Sequence, residues 1–272
     1  MALALRFPEE GEFSSRAGVV PFEDEQETPG PAAAIFRWSK SVRDAVPAAA
    51  DGAAVRVAKL VVATPGASLQ FVRELTRSWS VVGSIVTTDQ QIQPFKLSDP
   101  AAAACTILSK VPDVTAPGNT LVVALPQAVP VQSTWVWVNE LLRHIEAEEI
   151  VCLDSQLSTI YEDEFAAHIE PFPVLRMLAT SSASARHAPV ARALSTPQFT
   201  TGVPAALLTH GELRKHSVRV FISIRDVAVA PSDVVRSFFP IAAEVGLELP
   251  PAFKLVNAQS TPLSAEASVL YT

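Results

Sequence analysis

Long apolar runs that do not alternate with polar residues constrain the fold of this chain more than any other feature. The clearest is VRVAKLVVA at 55–63, and similar runs occur at 81–88, 119–125, 150–153, 173–180 and 218–224. A strand buried on both faces reads as a continuous apolar run, whereas a strand with one solvated face alternates. We therefore predict buried strands in a mostly parallel sheet that is covered on both faces.

Segments with helical spacing separate these runs. We predict helices over 67–79, 134–149, 202–216 and 231–246, and a further helix that begins near Ile35. In the second of these segments Val138, Leu141, Leu142 and Ile145 fall on one helical face. Strands that alternate with helices indicate an α/β fold whose sheet is covered by helices.

Two stretches interrupt this alternation, and both ends of the chain differ in composition from the middle. Residues 89–117 are predicted to be a connection with one edge element, and 181–201 a long surface excursion. Residues 1–34 combine Glu and Asp with Gly, Pro and Ser, which predicts a disordered acidic segment. We predict an α/β domain over 35–250 and a flexible polar tail over 251–272.

Composition excludes several classes of protein. Hydrophobic residues make up 49% of the chain and charged residues 18%, so a wholly disordered chain is excluded. The net charge of −7 argues against nucleic-acid binding, which depends on Lys and Arg at phosphates. Only two cysteines are present, without a CxxC motif, which favours a reducing compartment and predicts no zinc site. We see neither an apolar run of membrane-spanning length nor a secretory signal.

Polar residues follow several predicted strands, at the position where open α/β sheets bind ligands. They are Thr64, Asp89, Asp154 and Asp226, with Ser68 nearby. One interpretation is a small-molecule site, and the other is that these residues cap helices or begin turns. The sequence contains no GxSxG, GxGxxG or GxxxxGK[ST] motif and no HExxH spacing, so the second interpretation is favoured. We interpret Cys105 and Cys152 as buried apolar residues, and Trp135 and Trp137 as core in preference to an exposed patch.

The most specific motif is the last three residues, Leu270, Tyr271 and Thr272, which follow the polar stretch STPLSAEAS. A polar tail that ends in hydrophobic-Tyr-any is typical of tails that dock into pockets of the proteasome α-ring. The apolar side chain buries area, the tyrosine ring fills a slot, and the terminal carboxylate meets a cation. The alternative is a frayed chain end.

Further stretches resemble the proteasome assembly chaperone 1 family. The residues that carry the resemblance are Pro189–Thr196, the helix start Val203–Leu208 with the strand after it and Asp226, Phe239-Pro240-Ile241 with Gly246-Leu247, and the tail motif Leu270-Tyr271-Thr272. The resemblance is clearest over 189–272. Over 55–180 only the order of strands and helices agrees.

This resemblance implies a three-layer α/β/α sandwich similar to nucleoside phosphorylases but without their active site, and therefore no enzymatic activity, cofactor or metal. It also implies a heterodimer with proteasome assembly chaperone 2 that binds the α-ring of the 20S core particle through Leu270, Tyr271 and Thr272. Such a dimer promotes α-ring assembly and prevents premature association, in the cytoplasm and also in the nucleus. Two other classes stay open: an enzyme on a phosphorylase-like fold, with its site at the strand carboxyl ends, and an activator that uses the same tail.

Overall fold

The structure, a computed structural model, describes residues 32–46, 52–89, 105–157, 172–195 and 199–249. The strands in these ranges are β1 (Ala34–Trp38), β2 (Val55–Ala63), β3 (Ser80–Thr87), β4 (Cys105–Ser109), β5 (Thr120–Ala124), β6 (Ile145–Leu157), β7 (Val174–Ala179), β8 (Arg192–Ala193) and β9 (Ser217–Arg225). The helices are α1 (Lys40–Ala45), α2 (Ala67–Leu75), α3 (Thr134–His144), α4 (Ser181–Arg186), α5 (Gly202–Arg214) and α6 (Pro231–Arg236), with 3₁₀ turns at Val131–Ser133 and Phe239–Ile241.

The strands form one sheet in the order β1-β3-β4-β5-β2-β6-β9-β7-β8. Its centre, β5-β2-β6-β9, is parallel, whereas the pairs β1-β3, β3-β4, β4-β5 and β7-β9 are antiparallel. The α/β class is therefore confirmed, and the sheet is mixed, with a parallel centre and one further parallel pair, β7-β8, at an edge. We call the end of the sheet where the four parallel strands begin the amino edge, and the end where they finish the carboxyl edge.

Helices cover the central strands on both faces. Alternate residues of a strand point to opposite faces, so Leu60 and Val62 of β2 pack in one core and Val61 in the other. The first core is completed by residues of α3 and α5, such as Trp137 and Leu207, and the second by residues of α2 and α6. This arrangement confirms the covered sheet that the apolar runs predict. Of the helices in the described ranges, none is long and apolar enough to cross a membrane.

Several predicted boundaries are wrong. The helix predicted over 134–149 ends at His144, and β6 begins at the next residue and extends over 13 residues instead of the four predicted at 150–153. The segment near Ile35 forms the strand β1 and only then the short helix α1. The helix predicted over 231–246 is α6 followed by turns, including the 3₁₀ turn at Phe239–Ile241.

The two interrupting stretches contain more structure than the sequence predicts. Strand β4 lies inside the sheet, between β3 and β5, and not at an edge. The stretch 181–201 includes α4 and the edge strand β8. Most of the predicted acidic segment 1–34 lies outside the described residues, and its last residue, Ala34, is the first of β1. The predicted tail 251–272 lies wholly outside them.

Candidate functional site

The structure brings three of the five strand-end residues together at the carboxyl edge. The Thr64 hydroxyl, directly after β2, donates to Oδ1 of Asp154 on β6 at 2.6 Å, and Ser68 Oγ lies 3.3 Å from Thr64 Oγ1. In the sheet, β2 and β6 are neighbours. After β2 the chain continues to β3, on one side of this pair, whereas after β6 it continues to β7, on the other side. The cluster therefore occupies the topological switch point, where open α/β sheets bind ligands.

The Asp154 side chain is half-buried, and burial raises its pKa, while hydrogen bonds from Thr64 and Gln156 lower it in part. Gln156 Nε2 donates to Asp154 Oδ2 at 3.1 Å, so both carboxyl oxygens accept a hydrogen bond from within the protein. The Ser68 hydroxyl donates to the backbone oxygen of Thr64 at 2.8 Å. These bonds link two strands and the start of α2, and Ser68 is not held as a nucleophile beside a base.

Asp89 and Asp226 lie apart from this cluster. Asp89 accepts hydrogen bonds from Ser133 Oγ and from Gln132 Nε2, and the hydroxyl of Ser133 in particular lowers the pKa of Asp89. Asp226 accepts from the backbone N–H of Ala228 at 3.2 Å and so stabilises a turn. The interpretation as a turn residue is therefore confirmed for Asp226, whereas Asp89 links the end of β3 to the 3₁₀ turn at Val131–Ser133 through side chains.

A group of charged residues that the sequence does not single out lies at the central strands, and two of its members, Glu149 and Arg219, are buried. Lys59 on β2 and Glu149 on β6 are register partners, and Lys59 Nζ lies 3.1 Å from Glu149 Oε2. Arg219 on β9, whose side chain is 1% exposed, donates from Nε to Glu149 Oε1 at 2.6 Å. Arg219 also pairs with Glu244 Oε2 at 3.2 Å, and Lys59 Nζ donates to the Glu244 backbone oxygen. We call Lys59, Glu149, Arg219 and Glu244 the charged network.

The charged network joins three parallel strands to the segment that follows α6. Lys59 interrupts the apolar run VRVAKLVVA and Arg219 interrupts VRVFISI, and these interruptions are the signal that could have found the network, whereas Glu149 precedes the run IVCL. A buried carboxylate that faces two cations is fully compensated, which is the condition for keeping such charges inside a protein. The network is therefore a structural element that fixes the end of the fold to the sheet.

A cleft of about 690 Å³ opens at the amino edge. Charged residues of its lining come from the starts of β2 and β6, from α4 and from the residue after α5. They are Arg56, Glu146, Glu148, Arg186 and Lys215. Arg56 Nε lies 2.9 Å from Glu146 Oε2, so one acid of the cleft is already paired. The cleft thus presents a polar, charged surface and not the apolar lining typical of a small-molecule pocket.

The histidines and cysteines of the described ranges are dispersed. His144 lies 3.1 Å from Glu140, and His210 and His216 stack with ring centroids 5.8 Å apart. Within these ranges no group of three or more His, Cys, Asp or Glu side chains is placed to hold a metal ion. Cys105 and Cys152 are buried and unpaired by any disulfide, as expected, and burial raises the pKa of both thiols.

The two tryptophans near the start of α3 have different roles. Trp137 is buried in the core, whereas Trp135 is 42% exposed and its ring centroid lies 6.1 Å from that of His210. Core packing is therefore confirmed for the first and wrong for the second. The three tail residues Leu270, Tyr271 and Thr272 lie outside the described residues.

No protein-family model and no curated protein matches the sequence. Solved structures share its fold. Pyrococcus furiosus PbaB, an archaeal proteasome activator, matches with a TM-score of 0.53 and 11% identity over 81% of this chain and 91% of that chain. Pyrococcus furiosus PbaA, an archaeal homolog of proteasome-assembly chaperone, matches with a TM-score of 0.51 and 13% identity over 81% and 88%. A protein of unknown function from Thermoplasma acidophilum matches with a TM-score of 0.52 and 13% identity over 71% and 78%.

Proposed function

We propose that this protein is a non-enzymatic proteasome assembly chaperone that binds the α-ring of the 20S core particle. The observation that carries the proposal is the match of its fold, over four fifths of the chain, to an archaeal proteasome activator and to an archaeal homolog of proteasome-assembly chaperone. The tail motif Leu270-Tyr271-Thr272 supports it independently, because it comes from the sequence and not from the fold.

The strand-end cluster favours a binding role over the alternative of an enzyme. In a phosphorylase-like enzyme the switch point would hold polar groups turned toward a substrate. Here both oxygens of Asp154 and the hydroxyl of Ser68 are engaged inside the protein. We expect Asp154→Ala combined with Asp226→Ala to leave α-ring assembly intact in a protein that still folds. Loss of assembly in a folded double variant would support the enzyme or ligand-site alternative instead.

The tail is the proposed anchor. The Leu270 side chain would bury apolar area in the ring pocket, and the Tyr271 ring would fill a slot with its hydroxyl at a polar partner. In a protein that ends at Thr272, the α-carboxylate would meet a cation of the pocket through a charge-assisted hydrogen bond. One ring and one carboxylate supply only a few kcal/mol, which corresponds to roughly millimolar to micromolar affinity.

This weak anchor is the reason to propose a heterodimer with proteasome assembly chaperone 2. A second protein with its own ring contacts raises the overall affinity roughly a hundredfold or more, because the second contact becomes intramolecular. We expect the two chaperones to co-purify when they are expressed together. Tight ring binding by the isolated chain would contradict this part of the proposal.

The test of the anchor compares four forms of the protein for binding to purified 20S core particles. Tyr271→Ala is expected to lose about 2–4 kcal/mol of binding free energy, since the slot stays unfilled. Thr272→Ala keeps the carboxylate and is the matched control, with an affinity near that of the wild type. One residue added after Thr272 shifts the carboxylate by up to ~3.5 Å and should weaken binding about as much as Tyr271→Ala.

Thermal melts of the four forms serve as the control for folding. Equal binding by the extended form and the wild type would exclude the carboxylate mechanism. Normal binding by Tyr271→Ala as well would exclude the tail as the anchor.

A further inference from the structure

Strand β1 leaves one side of the sheet open. Within the described residues β1 pairs only with β3, and no strand lies beyond it. Edge strands are usually protected by prolines, by charges or by β-bulges, because an open edge can pair with another chain. The sequence of β1, AIFRW, contains no proline and one charge, and its register with β3 is regular. This edge is therefore able to accept a further strand.

The ladder between β1 and β3 shows which backbone groups point out of the open edge. The Ser39 N–H, directly after β1, donates to the backbone oxygen of Val82 at 2.8 Å. Hydrogen-bonding direction alternates along an antiparallel strand, so the odd-numbered residues of β1 bond to β3. The N–H and C=O groups of Ala34 and Phe36 therefore point away from β3, toward the open edge.

The two faces of β1 differ in their cover. The Phe36 ring points to the core and stacks on His144 of α3, with ring centroids 4.4 Å apart. Ile35 points to the opposite face and is 58% exposed. Its register partner on β3, Val86, is half-buried. An exposed β-branched residue next to another, at an open edge, is a surface that a further strand would cover.

A second copy of β1 fits this edge. When two β1 strands run antiparallel about a two-fold axis at Ile35, Ala34 of each chain lies opposite Phe36 of the other. Four hydrogen bonds then join the outward N–H and C=O groups of these residues. The two Ile35 residues form a non-hydrogen-bonded pair, in which facing side chains are closest. Val86 continues this apolar row on each side, since it is the register partner of Ile35.

Other two-fold registers fit less well. An axis at Phe36 places Ile35 opposite Arg37 and needs the backbone of Trp38, which is only 3% exposed. An axis at Arg37 places two arginines opposite each other, which is destabilising. An axis one residue before Ile35 separates the two isoleucines. With the axis at Ile35, Arg37 lies opposite Ala33 and no like charges meet.

We infer that β1 is a dimerisation edge, where two copies of this protein pair their β1 strands about Ile35 and join two nine-stranded sheets into one. The same residues contribute from both chains, so the contact closes at two copies. The paired strands are short, and interfaces below the standard size are weak, so we expect dimers at roughly 100 μM protein. The inference does not rest on the proposed function, because it uses no residue of the tail.

The first experiment is sedimentation equilibrium of the full chain from about 5 to about 500 μM. We expect the average mass to rise from that of one chain toward that of two. Ile35→Glu and Ile35→Lys should each weaken the dimer about tenfold or more, because like charges meet at the axis and the apolar pair is lost. An equimolar mixture of the two variants should dimerise again, since opposite charges then meet. Val131→Glu is the matched control, because Val131 is 82% exposed in a 3₁₀ turn outside the sheet.

Three outcomes of this experiment would contradict the inference. The mass of one chain at every concentration would exclude a second copy, and it is expected if another segment of the chain or a different protein covers the edge. A dimer that is equally stable in Ile35→Glu and in the control would lie elsewhere on the surface. A dimer that Ile35→Glu strengthens would place Ile35 opposite Arg37 and overturn the register.

The second experiment tests the backbone contact with Ala34→Pro. This change removes an N–H that points to the open edge and no hydrogen bond to β3, and proline is tolerated in an edge strand at such a position. We expect a normal thermal melt and a dimer weakened about tenfold or more, since two of the four hydrogen bonds are lost and the ring fills the edge. An unchanged dimer in the folded variant would overturn pairing through β1.

Discussion

The charged network predicts that substitution of Glu149 lowers the stability of the fold more than substitution of Arg219. If Glu149 becomes glutamine, Arg219 stays buried, and within the described part of the chain its acidic partner is then the partly exposed Glu244. Removing one member of a buried ion pair costs about 3–5 kcal/mol, because a buried charge is left uncompensated. If Arg219 becomes methionine, Glu149 still has Lys59 at 3.1 Å and His187 at 3.6 Å. The loss is then nearer that of one charged hydrogen bond, about 2 kcal/mol.

Urea unfolding of Glu149→Gln, Arg219→Met and the double variant measures these values, provided that the m-value stays constant. We expect Glu149→Gln to be the less stable single variant by about 1–3 kcal/mol. The double variant should lose less stability than the sum of the two, because the stranded arginine is gone. A larger loss for Arg219→Met, or additive losses, would show that Lys59 does not compensate Glu149.

Three further predictions concern packing and burial. Gly211→Ala should lower the free energy of unfolding by about 1–2 kcal/mol, because the new methyl group would collide with Val218 and overpacking outweighs the gain in helix propensity. The double variant Gly211→Ala with Val218→Ala should recover part of this free energy, as measured by urea unfolding. Because burial raises the pKa of Asp154, its ionised form costs stability at neutral pH, so the wild type should gain stability relative to Asp154→Asn as the pH falls from 7 toward about 4; an equal difference between the two proteins at both pH values would contradict this. Trp137→Ala should cost about 3–5 kcal/mol and Trp135→Ala far less, and similar thermal melts for the two would contradict their different burial.

The sequence predicts the centre of the sheet well because burial on both faces leaves a strong local pattern. The apolar run VRVAKLVVA predicts a strand over 55–63, and β2 has those bounds. The error at 134–149 has a physical cause, since Glu and Ala in IEAEE favour a helix locally while pairing with β2 makes the segment a strand. Strand β1 was missed although Phe36 and Trp38 point inward and Arg37 outward, which is the alternation of a strand with one exposed face.

The candidate sites, too, are only partly predictable from the sequence. The sequence places Thr64 and Asp154 at strand ends, but their convergence depends on the pairing of β2 with β6, and the engagement of both carboxyl oxygens depends on Gln156; neither could be predicted. The charged network depends on the register of β2 against β6, which brings Lys59 opposite Glu149. Register is a property of strand pairing and is not legible in any single strand.

The two buried cysteines can report local unfolding of the sheet. Cys105 lies on β4, in the antiparallel part of the sheet, and Cys152 on β6, in the parallel centre. Neither thiol is accessible in the folded state, and burial keeps both in the unreactive protonated form. A pulse of alkylating reagent therefore labels each cysteine only when its own part of the sheet opens, and the two labelling rates give the separate opening rates of the antiparallel flank and the parallel centre.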